Sequence, residues 1–392
     1  MHASNGAAEE KDIAATAPVV VVPQVCYVSK EGKGIAPYMT WENAATNLHD
    51  AVELNPKTVF VSNGLYKISR EICIQSDLEL RSVNGPEVTI VDAGGACRNL
   101  WMTDQAEGAV VDGFSLWRGA GNWDAKSNYA RVEAGTLSNC ILSNSYGSVY
   151  RDSAVLVKGK GRMSDCVVDN AGMGGNADCT HFFGTVVQSG GVIERCTIQR
   201  YIYTNQGGES GTHGAVHVEG TGVFRNCLVK DCVTTQVASG EAKRAAVLVS
   251  EQGVVENCTI VNSKSCQPGA GLTILSGTPT VRNCIVWGAT LGDGMATTAV
   301  RVIGTATPRI TYSCAPELTA GEGNTTADPQ FRAKSGVPYR FGSGSPCYDS
   351  AQKLDWMDES AVDRLGNVRI YSVAPDMGCY ESLSGGLKLI VR

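Results

Sequence analysis

Four consecutive repeats of this chain place groups able to move protons at nearly the same distance before a cysteine. Arg151 and Asp152 stand 15 and 14 residues before Cys166, and His181 stands 15 before Cys196. His213 stands 14 before Cys227, and Lys243 and Arg244 stand 15 and 14 before Cys258. A neutral imidazole suits proton abstraction near neutral pH, and a cation beside it can hold a carboxylate or a developing negative charge. His181 or His213 suits the first role, Arg151 or Arg244 the second, with Tyr150 adjoining them. Hydrolysis of a sugar linkage would instead need two carboxylates at a set separation, and Asp152, Asp178 and Glu209 offer the pairings.

Binding groups surround these positions. Trp123, Tyr150, Tyr201 and Tyr203 can present flat apolar faces to sugar rings, while Lys126, Arg151, Lys243 and Arg244 can hold carboxylates or sulfates. His217 alternates with Val216 and Val218 and is expected to face outward beside the same edge. The plainer alternative is that these are polar loop residues pairing with one another across repeats. A metal site built from Asp178, Cys179, His181 and His213 lacks compact ligand spacing. No cofactor is expected, and Ca2+ has no ligand motif to support it.

The elements that would position these groups are written in a recurring phrase. Asn139-Cys140, Asp165-Cys166, Arg195-Cys196, Asn226-Cys227, Asn257-Cys258 and Asn283-Cys284 each follow an apolar residue and a spacer. Their cysteines are separated by 26, 30, 31, 31 and 26 residues, the period of a solenoid. Asn and Asp enter the left-handed region most readily, so each phrase reads as a sharp bend with Cys turned inward after it. Arg195 breaks the pattern. Upstream, Val155 and Val157, Val216 and Val218, and Val247 and Val249 mark a second strand at a nearly constant offset; Leu272 and Ile274 match with one insertion. Several short strands per repeat, with no helical period, describe a parallel β-helix. Stacked at about 4.8 Å, the cysteines form an inward ladder of small apolar groups.

The net charge is −6 and 18% of residues are charged, so nothing argues for nucleic acid. No apolar run approaches a transmembrane helix, and no signal core is evident. Fifteen cysteines, six in one ladder, do not read as a disulfide framework.

Residues 1–24 read as a flexible leader, 25–315 as the β-helix with an N-terminal cap, and 316–392 as a C-terminal capping region. Thr40 can cap a helix carrying Ala44, Ala45, Leu48, Ala51 and Val52 on one face. Val110-Val-Asp112-Gly113-Phe114 is an early copy of the phrase, with Gly where Cys later stands.

Three groups of residues carry a family resemblance: Tyr27-Val-Ser, Trp41, Gly64-Leu-Tyr66 and Asn84-Gly85; the Asn-Cys phrase; and Asp328-Pro-Gln-Phe331, Ser345-Pro-Cys-Tyr-Asp349, Asp363-Arg-Leu-Gly-Asn-Val-Arg369 and Asp376-Met-Gly-Cys-Tyr-Glu381. Together they resemble secreted bacterial right-handed parallel β-helix proteins of pectate-lyase-like architecture, with a choice-of-anchor Q-like C-terminal signature. The resemblance implies an all-β solenoid, located in secretion or at the cell surface. It also implies a carbohydrate-active protein, a polysaccharide lyase ahead of a glycoside hydrolase, acting on an acidic glycan along residues 150–244. The rival readings are a non-catalytic glycan-binding adhesin and a structural β-helix protein.

Overall fold

The computed structural model describes residues 22–120, 127–143, 153–169, 181–203, 212–234, 243–334 and 336–383. Among these, the chain is a right-handed parallel β-solenoid. Each coil repeats one circuit: a strand of the first sheet, a bend, a strand of the second sheet, a connection of variable length, a strand of the third sheet, and a glycine-rich turn. The first sheet holds eleven described strands, from Val25–Val28 to Arg309–Thr311. The second holds nine, from Gly64–Lys67 to Ile285–Trp287, and the third nine, from Ile72–Ile74 to Val300–Val302.

The bend has the backbone its residue types favour. Asn139, Asp165, Asn226, Asn257 and Asn283 take φ of 49, 55, 53, 48 and 59°. Arg195 adopts 51° as well, so the break in the residue pattern is no break in the backbone. Its guanidinium reaches back to Asp165 of the preceding coil through two hydrogen bonds of 2.9 and 2.8 Å. Each ladder cysteine is buried and donates its thiol to the carbonyl two residues earlier at 3.1 to 3.3 Å. Burial pushes the Cys166, Cys227 and Cys258 thiols well up, which keeps them neutral. Every described cysteine is free.

Two sequence expectations shift. The register Ser138↔Asp112 sets Gly113, at φ 83°, in the Asn position and Phe114 in the Cys position of the early copy. Glycine therefore supplies the bend there, not the inward residue. The helix is also shorter than expected: it spans Leu48–Val52 and is capped by Asn47, whose side chain accepts from the Asp50 amide at 3.0 Å. Ala45 is held by Val28–Ser29 instead, with Ser29 N–H donating to its carbonyl at 2.9 Å, so its backbone cannot join a helix. Among the described residues, no helix is long and apolar enough to cross a membrane.

Glycine is required at the turn from the third sheet to the first. A Cβ at Gly222 would lie 2.4 Å from the Val187 carbonyl oxygen of the coil below, and at Gly161, 2.2 Å from that of Val132. Only hydrogen fits between coils stacked this closely.

Within the C-terminal region, residues 341–382 form a strap along the flank. Its described residues run back over the bend and the second sheet as far as Thr197. Arg364 donates to Thr197 Oγ1, Cys379 N–H donates to Thr259 Oγ1 at 3.0 Å, and Gly378 N–H donates to the Asn283 carbonyl at 2.7 Å. Leu228 and Val261 pack against Cys379 and Tyr380. The ladder asparagines bind it too: Asn226 donates to the Val362 carbonyl and Asn283 to that of Gln352. Inside the strap Arg369, Asp363, Asp376 and Glu381 are buried together. Arg369 pairs with Glu381 at 3.2 Å, and backbone N–H groups of Asp349 and Ser382 donate to Asp376; burial outweighs these contacts and raises Asp376 to about 6 and Glu381 to about 8.

Two outcomes follow. Gly222→Ala is expected to lower stability by about 1–3 kcal/mol in denaturant unfolding, whereas Gly344→Ala, with nothing within 4 Å of the added Cβ, leaves it unchanged. The strap should also loosen with rising pH. A carboxyl raised on folding stabilises fully below its unfolded pKa and loses that contribution as pH rises through the folded value. Proteolysis of the strap is therefore expected to accelerate between about pH 5 and about pH 9, and Glu381→Gln to blunt the change. A wild-type profile in Glu381→Gln would rule that assignment out.

Candidate functional site

Two of the three outer faces are used, the second sheet only in part. The strap covers the second sheet from Thr197 to Ile285. The first sheet carries opposed charges that satisfy one another: Arg225 on Glu194 at 2.7 Å, and Arg282 on Glu256 at 2.6 Å, with Trp356 Nε1 donating to Glu256 at 2.8 Å. The third sheet is left. Its middle strands are the longest, His181–Gln188, Thr212–Glu219 and Lys243–Val249, and its outward positions form one row in register: Cys73, Trp101, Arg131, Leu156, Val186, His217, Leu248, Thr273, Arg301.

One end of this row is an aromatic and cationic cluster that residue counting did not single out. The Arg98 and Arg131 guanidiniums lie 5.4 and 5.5 Å from the Trp101 ring centroid. Glu133 accepts from Trp101 Nε1 at 3.0 Å, Arg131 at 2.7 Å and Lys158 at 2.7 Å. Burial alone would raise its carboxyl, but these donors outweigh it and hold Glu133 at about 2. Arg98 pairs with Glu71 at 2.7 Å. Three cations thus face two carboxylates around a half-buried indole. The signal was present: Leu100 and Met102 point inward, so Trp101 between them points out, and Arg131 and Glu133 flank inward Val132 in the same way.

Further along the row His217 faces outward, as the alternation implies. Its Nε2 shares a 3.0 Å hydrogen bond with Ser250 Oγ, its Nδ1 is 3.6 Å from Glu219, and its ring lies 4.5 Å from that of Phe183. Glu219 is raised by burial and then by Glu251. Four strand spacings separate Trp101 from His217, about 19 Å. Beside the row, the glycine-turn corner opens two depressions of about 520 and 650 Å³, the second bordered by Glu251 and Gln252.

The counted register is found, with Thr212↔Lys243 and His213↔Arg244 adjacent and His181 opposite Thr212. The expected orientation is not. His213 and Arg244 are 0 and 1% exposed, the His213 ring stacks on Tyr203 at 4.0 Å, and Arg244 lies 5.1 Å over the same ring. Tyr201 and Tyr203 are core residues at 1 and 2% exposure, with no face offered to a sugar. The reason is a break in alternation: Ala215 and Val216 both enter the core, while a Cβ on Gly214 would meet the outward Leu248 side chain. Residues before that corner are turned by one position, which carries His213 inward. Lys243 remains half-buried at the edge. Trp123, Lys126, Tyr150, Arg151, Asp152, Asp178 and Glu209 lie outside the described residues. Among those described, no three His, Cys, Asp or Glu side chains group as metal ligands.

Residues 126–311 match the family of right handed beta helix regions. No curated protein matches the sequence. Among solved structures, the catalytic domain of an alpha-1,3-glucanase in complex with tetrasaccharides is 12% identical, with a TM-score of 0.34 over 68% of this chain and 57% of that one. The Azotobacter vinelandii mannuronan C-5 epimerase AlgE4 A-module is 13% identical, with a TM-score of 0.23 over 72% of this chain and 99% of that one.

Buried beside Tyr203, His213 and Arg244 are expected to act on stability. His213→Ala and Arg244→Ala should each cost about 2 kcal/mol or more in thermal or denaturant unfolding, against about 0.5 or less for Lys243→Ala. Wild-type midpoints in both buried variants would contradict the packing described.

Proposed function

We propose that this chain is an extracellular carbohydrate-active protein that binds an acidic polysaccharide along the outer face of the third sheet. The observation that carries the reading is the joint presence on that face of Trp101 flanked by Arg98 and Arg131 and, about 19 Å along the coil axis, the His217–Glu219–Ser250 group. A linear glycan laid across the strands would meet both. Trp101 offers a ring to a sugar face, and Arg131 and Lys158 can exchange part of their bond to Glu133 for a sugar carboxylate. His217, set by Ser250 and Glu219, is the group suited to remove the proton beside a uronate carboxylate, which favours a lyase over a hydrolase. Tyr150, Arg151, Asp152 and His181 remain candidates for completing the site.

A second reading rests on the 8% exposure of both His217 and Ser250. Groups so covered suit a face that holds a glycan without cleaving it.

The test is incubation of the purified chain with acidic and neutral polysaccharides, read by ultraviolet absorbance, reducing ends and binding. A lyase yields absorbing unsaturated ends, lost in His217→Ala, with KM raised about tenfold in Arg131→Ala. Reducing ends without absorbance would move the chemistry to carboxylates such as Asp152 and Glu219. Salt-sensitive binding without products would select the second reading. No binding of any acidic glycan would sink the proposal.

A further inference from the structure

The N-terminal coils hold an exposed ring beside polar side chains, in a cleft that none of the third-sheet cations lines. Trp41 exposes 44% of its surface. Behind it lies Tyr27, with ring centroids 4.5 Å apart at 53°, and Tyr27 in turn stacks on Phe60 of the next strand at 6.1 Å and 28°. Backed in this way, the indole has little freedom to fold away. Exposing so large a ring is unfavourable unless something covers it.

Next to Trp41 opens a cleft of about 430 Å³, within the range of about 300–1,000 Å³ typical of small-ligand sites. Trp41, Glu31, Ser62, Asn63, Val83 and Asn84 line it. Asn63 and Asn84 follow equivalent strands of successive coils, and Asn84 Nδ2 donates to Asn63 Oδ1 at 2.7 Å. That bond uses one amide's acceptor and the other's donor. The Asn63 NH2 and the Asn84 carbonyl oxygen stay available at adjacent positions on an exposed surface. Glu31 adds a carboxylate, whose Oε2 accepts from Ser29 at 3.1 Å. No lysine or arginine lines the cleft: Lys30 sits 4.7 Å over the Tyr66 ring, and Lys33 is paired with Glu42.

We propose that this cleft is a second carbohydrate site, specific for an uncharged pyranose unit. The C–H face of the ring rests on Trp41, and neighbouring hydroxyls bridge the Asn63 donor, the Asn84 acceptor and Glu31. The carboxylate selects against uronates, the opposite of the cationic third-sheet face. The two assignments are independent, because one rests on cations and the other on their absence.

The experiment is calorimetric titration of the full chain with uncharged gluco-, manno-, xylo- and galacto-oligosaccharides. At least one is expected to bind, with little dependence on salt, and to bind Arg131→Ala equally well. Trp41→Ala should lose about tenfold or more, Trp41→Phe less, and Asn84→Ala an intermediate amount. Circular dichroism melts identify any variant that fails to fold, and Trp41→Phe with Asn84→Ala then carry the test. Unchanged affinity in folded Trp41→Ala overturns the proposal, as does the absence of binding to every neutral oligosaccharide at millimolar concentration. So does a dimer in the wild type that Trp41→Ala dissolves, since the ring would then serve a second copy of the chain.

Discussion

Everything in this molecule depends on coils stacking at the spacing of parallel strands. Every corner must then turn at the same place in each coil, with the backbone of one coil directly beneath the next. At one corner the constraint is met by residues that tolerate positive φ, from Asn139 through Asn283, each followed by a buried cysteine whose thiol donates back to the bend. At the glycine-turn corner it is met by removing the side chain, as at Gly222, where even a Cβ would strike the Val187 carbonyl. The third corner carries the connections of varying length. Variation is admitted where the stack does not forbid it.

Stacking also multiplies every outward position into a row, and each of the three outer faces resolves its row differently. The first sheet balances charge along it. The second is hidden from Thr197 onward by the chain's own C-terminal strap, whose buried Arg369, Asp376 and Glu381 tie strap residues to one another. The third carries unlike groups in succession, a cation-flanked indole, then aliphatic residues, then a histidine in contact with a serine and a glutamate. A polymer running along the coil axis would read those groups in order, which is why this face carries the functional proposal.

The repeat was legible because Asn-Cys and paired valines recur with few interruptions, and the pairings Val216↔Val247 and Val247↔Leu272 match the counted offsets, including the inserted residue. The degenerate first copy was misaligned by one because Gly and Asn satisfy the same bend, and only the ladder register separates them at Gly113. The helix at Leu48 was overextended because Ala44 and Ala45 fit a helical face, while a bridge to Val28 had already engaged the backbone there. The site was half legible. Counting back from cysteine set His213 beside Arg244, yet it could not see that alternation breaks between Ala215 and Val216. Trp101, Arg131 and Glu133 precede the four repeats in which titratable groups recur before a cysteine, although strict alternation around Leu100, Met102 and Val132 marks them.

By itself, then, the sequence determined the solenoid, its period, the bend residues and the register, because these follow from local backbone preference repeated at a fixed interval. Tertiary structure alone decided which histidine faces out and which face the C-terminal region covers. It also decided where cations gather around an indole. Those outcomes depend on contacts between coils and on segments far apart in the chain, such as Arg364 on Thr197 and Glu381 on Arg369, and no local preference encodes which face a corner will turn a side chain toward.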